Sequence, residues 1–282
     1  MSELFVNPET MNSNYIIIDN IKLHYLEAGK GEVVLMLHGF PTSSHLWRNV
    51  MLPIADSHRV IALDLPGYGW SEKPLTASYS FKYYARILSE FLYQLDINEV
   101  NLVVHDLGGP VGLLWAVQHP KLVKRLALLN TLVYAKFSWG VILFGIAIKL
   151  PGVKNWLSSP SGIAAAIRFG MEHKQKLNED IIANYKAPFI EKKARKALLK
   201  TASNLSLKGF KEIEEKLPLF KIPVRAIYGV NDKILPKVKE TMERVKKDLP
   251  QTVITAIPNC GHFLQEDEPE LVGKLLSEFL NE

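Results

Sequence analysis

Apolar runs alternate with amphipathic stretches along most of the chain. Tyr15–Asp19 and Lys22–Glu27 read as two strands around a tight Asp19-Asn20 turn. Glu32–Leu37 (EVVLML) is a continuous apolar run, as expected of a strand buried on both faces. Arg59–Leu63, Val100–His105 and Arg125–Leu129 repeat that character. Helical patterns lie between them at Ser44–Ile54, Phe81–Leu95 and Gly108–His119, the last stopped by Pro120. Strands alternating with helices predict an α/β domain built on a parallel sheet with right-handed crossovers.

The alternation breaks after Asn130. From about Ala135 to Leu217 the pattern is helical and Lys-rich, with no convincing strand. It then resumes, with strands at Val224–Tyr228 and Thr252–Ile257 and helices at Pro236–Lys247 and Glu268–Leu280. The expected division is a first core part over 1–134, a helical lid over 135–217 and a second core part over 218–282.

Composition changes this picture little. The 282 residues are 48% hydrophobic and 22% charged, which excludes disordered, collagen-like and disulfide-dense classes. A single cysteine, Cys260, cannot form an internal disulfide, and no Cys/His cluster has zinc-site spacing. No secretory signal is visible, and the expected location is the cytoplasm. The most apolar stretch, Val141–Ile148, is too short to span a bilayer, which takes about 20 residues.

The formal charge of +5 is uneven. Residues 135–221 hold 16 Lys+Arg against 7 Asp+Glu, an excess of +9 that the rest of the chain offsets. No interleaving of arginines with aromatics accompanies it, so no nucleic-acid partner is expected. A solvated basic face is the plain reading. Phe137–Leu150 (FSWGVILFGIAIKL) is apolar enough to line a lipophilic pocket, with lid packing and peripheral membrane contact as the alternatives.

The strongest chemical signal is Val104-His105-Asp106-Leu107-Gly108-Gly109. A strand ends, a sharp turn carries Asp106, and a helix begins. This is the setting of a nucleophile elbow, with Asp where Ser is usual. Asp is also favoured there simply as a helix N-cap, so on its own this segment decides nothing. Three other strand-end loops bear on it: His38-Gly39-Phe40-Pro41, Gly229-Val230-Asn231-Asp232, and Asn259-Cys260-Gly261-His262-Phe263. The order nucleophile, acid, histidine matches that of hydrolases with such an elbow. His24, His45, His58, His119 and His173 form no constellation, and Trp47, Trp70 and Trp115 read as core or pocket wall rather than donors.

The chain resembles the α/β-hydrolase superfamily, in its epoxide hydrolase and haloalkane dehalogenase branch. The resemblance rests on HGFPTSSHLW (38–47), DLPGYGWSEKP (64–74), VVHDLGGPVGLLWA (103–116), GVNDKILP (229–236) and CGHFLQEDEPE (260–270). It implies an eight-stranded, mostly parallel sheet with a helical lid. It implies Asp106 as nucleophile, His262 as general base and Asp232 as its partner, with the N–H groups of Phe40 and Leu107 as oxyanion hole. The alternative acid position, beside Leu129, holds Asn130. No metal or organic cofactor is implied, and the expected partners are a small lipophilic substrate and water.

A carboxylate nucleophile suits an sp³ carbon bearing a leaving group, because the resulting alkyl ester can be hydrolysed. Dehalogenases of this branch usually carry Trp after the nucleophile, and many carry Asn in the HGxP loop. Here those positions are Leu107 and Phe40. An epoxide needs an O–H donor, for which Tyr134 and Tyr185 are the candidates. Trp139, Trp156, Phe137 and Phe263 are candidate pocket walls. The expected function is an epoxide hydrolase, with haloalkane dehalogenase as the alternative and an esterase or a non-catalytic binding protein behind both.

Overall fold

The computed structural model describes residues 11–135, 139–204 and 207–282, without the side chains of Trp139, Val141, Leu207 and Lys208. Phe137 lies outside the described residues. Eight strands form one sheet: β1 (Asn12–Ile18), β2 (Ile21–Ala28), β3 (Glu32–Leu37), β4 (His58–Leu63), β5 (Val100–Asp106), β6 (Val123–Thr131), β7 (Val224–Gly229) and β8 (Val253–Ile257). Their spatial order is β1-β2-β4-β3-β5-β6-β7-β8. The β1/β2 and β2/β4 pairs are antiparallel, and all the others are parallel.

The helices are α1 (Arg48–Ala55), α2 (Phe81–Gln94), α3 (Gly108–Gln118), α4 (Trp139–Ala147), α5 (Pro151–Leu157), α6 (Pro160–Gly170), α7 (Glu179–Lys186), α8 (Lys192–Ser203), α9 (Leu207–Lys216), α10 (Val238–Asp248), α11 (Leu264–Asp267) and α12 (Pro269–Leu280). Ser44–Trp47, expected as the start of a longer helix, is a separate 3₁₀ turn ahead of α1. Among the described residues, the chain between β6 and β7 is helical and contains no strand.

Central strand β5 is buried at every position, and α3 behind it is buried almost all round. A helix apolar on every face is stable only when enclosed in this way. Pro110 falls in its first turn, where a missing N–H breaks no helical bond. Each fully buried Leu, Ile or Val side chain in this core contributes about 1.5–3 kcal/mol.

Topology determines where a site forms. From β3 the chain crosses to β4 on one side, while β5 lies on the other side of β3. Open parallel sheets leave a crevice at the carboxyl ends of strands where the order reverses in this way. The loops leaving β3 and β5 both open there, one carrying Gly39 and Phe40, the other Asp106.

Candidate active site

Asp106 ends β5 with φ +49°, and α3 begins two residues later. The N-cap is Leu107, not Asp106, so the carboxylate is not consumed in capping. A register shift in the β5/β6 ladder supports the turn. His105 pairs with Leu129 and Asp106 with Thr131, leaving Asn130 as an extra residue at φ +33°. Thr131 Oγ1 donates to the Asp106 carbonyl at 2.6 Å. Gly39 is required by close approach, since a Cβ there would collide with Asp106 Oδ1 and the Leu107 nitrogen.

Two backbone N–H groups converge on the Asp106 carboxylate. Phe40 N–H donates to Oδ1 at 2.7 Å, and the Leu107 N–H acts on the same carboxylate by helping to lower its pKa. The HGFP loop is held for this by His38. Its Nε2 accepts from Leu65 N–H at 3.2 Å, so Nδ1 carries the proton and donates to Gly39 O at 3.0 Å. Burial keeps His38 neutral by lowering its pKa.

His262 lies between two carboxylates. Its Nδ1 donates to Asp232 Oδ2 at 2.8 Å, and its Nε2 lies 3.5 Å from Asp106 Oδ2. The second separation is beyond an ordinary N–H···O bond. Burial acts to lower the His262 pKa, but Asp232 and Asp106 outweigh it and raise the value to about 10. Burial acts against both charged carboxylates in turn, and the imidazole with the surrounding N–H donors overcomes it, holding Asp106 and Asp232 below the usual range.

Asp232 is tied down on both oxygens. Oδ1 accepts from the N–H groups of Ile234 (2.8 Å) and Leu235 (2.7 Å), and Oδ2 accepts from Asn130 Nδ2 at 2.7 Å. The histidine loop is braced from behind. His105 Nε2–H donates to the His262 carbonyl at 3.0 Å, and burial pushes the His105 pKa down to about 3, so that ring is neutral. Asp267, fully buried, accepts from Gly261 N–H (2.7 Å) and from the N–H groups of Glu172 and His173. His262 N–H donates to Gly170 O at 2.7 Å, so the helices inserted after β6 help hold the histidine.

Asp106, Asp232 and His262 are thus brought together, with Phe40 and Leu107 around the carboxylate. Several other candidates lie elsewhere. Tyr134 donates to Asp248 Oδ2 at 2.7 Å and carries the Arg244 guanidinium on its ring, so its hydroxyl is engaged on α10. Tyr185 donates to Glu266 Oε1 at 2.5 Å, within a buried cluster where Arg48 forms a two-pronged pair with Glu266. Both hydroxyls are committed to carboxylates outside the triad. Trp156 is 52% exposed on the outer face of α5, which corrects its assignment as a pocket wall. Phe263 is fully buried edge-on against His262 (4.9 Å) and beneath Gly170, so it buttresses the histidine rather than facing substrate. Cys260 is buried, and burial raises its thiol pKa, which makes it a poor nucleophile.

Sequence reasoning passed over three residues that hold this arrangement. Asn130 appears in the sequence only as an uncharged residue at the alternative acid position, and Asp267 only as one residue of the CGHFLQEDEPE segment, with no role assigned to either. Tyr68, which stands out in the sequence only as part of the DLPGYGWSEKP segment, lines a narrow crevice with Gly39, Leu107, Val111, Tyr79 and Thr201. Its hydroxyl oxygen is 2.7 Å from Thr201 Oγ1 on α8. Burial and the nearby Asp106 charge raise its pKa, so it stays a protonated phenol.

Comparison with known proteins agrees with this architecture. The sequence model of the alpha/beta hydrolase fold family matches residues 32–269. The uncharacterized hydrolase YugF of Bacillus subtilis is 31% identical over 259 residues, covering 91% of this chain and 92% of its own. A cis-3-alkyl-4-alkyloxetan-2-one decarboxylase of Shewanella oneidensis is 30% identical, covering 93% and 86%. Epoxide hydrolase 2 of Caenorhabditis elegans is 27% identical, covering 100% and 84%. A loop variant of the haloalkane dehalogenase DbeA from Bradyrhizobium elkanii superposes with a TM-score of 0.85 at 24% identity, covering 96% of this chain and 97% of its own. With this fold and this extent of likeness, the chain belongs to the alpha/beta hydrolase fold family and is a hydrolase of that family.

Proposed function

We propose that this hydrolase uses Asp106 as a carboxylate nucleophile on an sp³ carbon, and that its substrate is a small lipophilic epoxide. The observation that carries the reading is the Asp106 carboxylate itself. Phe40 N–H occupies Oδ1, while Oδ2 is left facing His262 Nε2. Oδ2 attacks the epoxide carbon, the ring C–O bond breaks, and an alkyl ester of Asp106 forms. The leaving alkoxide takes a proton from Tyr68, and the His262 imidazolium makes that proton good. Neutral His262 then removes a proton from water as it attacks the ester carbonyl carbon. Charge developing on Oδ1 is met by the two N–H groups; losing one such donor typically costs about 3–4 kcal/mol of barrier. The bond between the Asp106 carboxyl carbon and the substrate-bound oxygen breaks, the hydroxyl proton newly added to the carboxyl group passes to the departing alkoxide, and the diol leaves with Asp106⁻ and His262⁺ restored.

The choice of epoxide over halide rests on the available donors. Phe40 and Leu107 offer no side-chain N–H for a departing halide, whereas Tyr68 and Thr201 supply hydroxyls beside Leu107. Haloalkane dehalogenase is the alternative, supported by sequence relatives of that name at 26% and 28% identity. Residues 135–217 act as a lid in this reading. Phe144 on α4 meets Phe40 edge-on at 5.1 Å, and Thr201 on α8 meets Tyr68.

The test is an activity panel of epoxides, haloalkanes and p-nitrophenyl esters on the wild type and on Asp106→Ala. Epoxide turnover that Asp106→Ala abolishes is the expected result. Halide release without epoxide turnover would transfer the assignment to the alternative.

A further inference from the structure

We propose that the outer face of α4 and α5 docks onto an anionic lipid surface. Helix α4 (WGVILFGIA) is apolar on all sides, yet it is not enclosed. One side touches the core through Phe144 and Phe40, and Ile148 just beyond it is buried. The other side leaves Ile142, Leu143 and Ile146 between 52% and 54% exposed. The same apolar exposure continues through Leu150, Val153 and Trp156, at 50%, 39% and 52%. Residues 142, 146 and 150 are one helical turn apart, as are 153 and 156, and backbone hydrogen bonds carry the turns from α4 through Leu150 into α5. Six large apolar side chains so arranged exceed the scattered apolar exposure of an ordinary soluble surface.

Charge selects the occupant. From Ala135 to Met171 the sequence contains no Asp or Glu, while it carries Lys136, Lys149, Lys154 and Arg168. Lys149 and Lys154 lie among the exposed apolar residues and have no ion-pair partner among the described residues. Arg168 is paired with Glu179 on α7. An apolar face flanked by cations is the composition of helices that lie in a membrane interface, with side chains in the acyl boundary and lysines at the headgroups. A second copy of this chain fits less well. A two-fold contact would set Lys149 and Lys154 against themselves, with no carboxylate on the patch to answer them. No helix among the described residues is long and apolar enough to cross a membrane, so the contact is peripheral.

The test is vesicle flotation of the purified chain. Vesicles of mixed phosphatidylglycerol and phosphatidylcholine are compared with pure phosphatidylcholine, at low and high salt. The wild type is expected to float with the anionic vesicles at low salt and to be released by high salt. Ile142→Ser/Leu143→Ser/Ile146→Ser should weaken binding at least tenfold. Lys149→Glu/Lys154→Glu should weaken it by about twentyfold or more, since each interfacial lysine contributes about fivefold. Lys149 is exposed and Lys154 half-buried, and neither is in the core, so the double charge variant tests the surface even where the apolar triple variant fails to fold. Circular dichroism confirms folding of each variant. Wild-type protein that stays unbound, or folded variants that bind as the wild type does, would overturn the proposal. So would a dimer that the charge or apolar changes disperse in the absence of any vesicle binding.

Discussion

Asn130 spans from β6 to the acid of the triad: its Nδ2 donates to Asp232 Oδ2 at 2.7 Å while its Oδ1 accepts from Gly229 N–H at 2.9 Å. The same Nδ2 reaches Gly261 O at 3.2 Å, so one amide ties the acid loop, strand β7 and the histidine loop together. It does so because the β5/β6 register shift leaves it unpaired in the ladder, with a backbone conformation that Asn tolerates better than most residues.

Asn130→Ala should therefore weaken the fold and the site together. It strands the buried Gly229 N–H and removes a donor from Asp232. The expected loss is about 1–3 kcal/mol in urea denaturation, with a fall in turnover. An unchanged midpoint with full activity would show that the amide does not hold the acid.

The Asn130 role was illegible in the sequence, where it appears only as a residue lacking the charge a triad acid needs. Strands and the nucleophile turn were legible because their signals are local. Glu32–Leu37 is a strand over the residues its apolar run marks, and Asp106 sits at the expected strand–helix turn. Tyr134 and Tyr185 show the opposite case. Their directions are set by Asp248 and Glu266, 114 and 81 residues away, and no spacing rule anticipates such partners. Trp156 was equally ambiguous, since an apolar residue on a short helix faces in or out according to packing that periodicity alone does not settle.

Tyrosine exchanges separate the donor from the packing residues. Tyr68→Phe should slow alkylation by more than about tenfold, since general acids contribute about 10²–10⁴-fold. Tyr134→Phe and Tyr185→Phe should leave alkylation nearly unchanged, each costing about 1 kcal/mol of stability through a lost hydrogen bond. Rapid-quench measurement of ester formation distinguishes these outcomes. An undiminished rate in Tyr68→Phe would remove it from the proton path.

The pH dependence of the second step follows from the charges around His262. In the resting enzyme both carboxylates raise its pKa. Alkylation neutralises Asp106, withdraws one of those influences and lowers the His262 pKa. Ester hydrolysis needs the neutral imidazole, so breakdown should accelerate as pH rises through the lowered value and then level off. Ester formation needs ionised Asp106, whose pKa lies below the usual carboxylate range, and the His262 imidazolium that resupplies Tyr68, so it should stay flat from mildly acidic pH and fall only as pH rises toward about 10. The alkyl-enzyme should accumulate under acidic conditions. Breakdown that is independent of pH, or that slows as pH rises, would contradict His262 as the base.

Covalent attachment of substrate to Asp106 and its release through His262 leave a mass signature on the protein. His262→Gln should still be alkylated but should not turn over. Incubated with a reactive epoxide and digested, it should yield an Asp106-containing peptide heavier by the whole mass of the epoxide, because ring opening expels nothing. A haloalkane adduct would instead fall short of the substrate by the mass of the hydrogen halide. Unmodified Asp106 with every substrate class that the wild type turns over would contradict the mechanism.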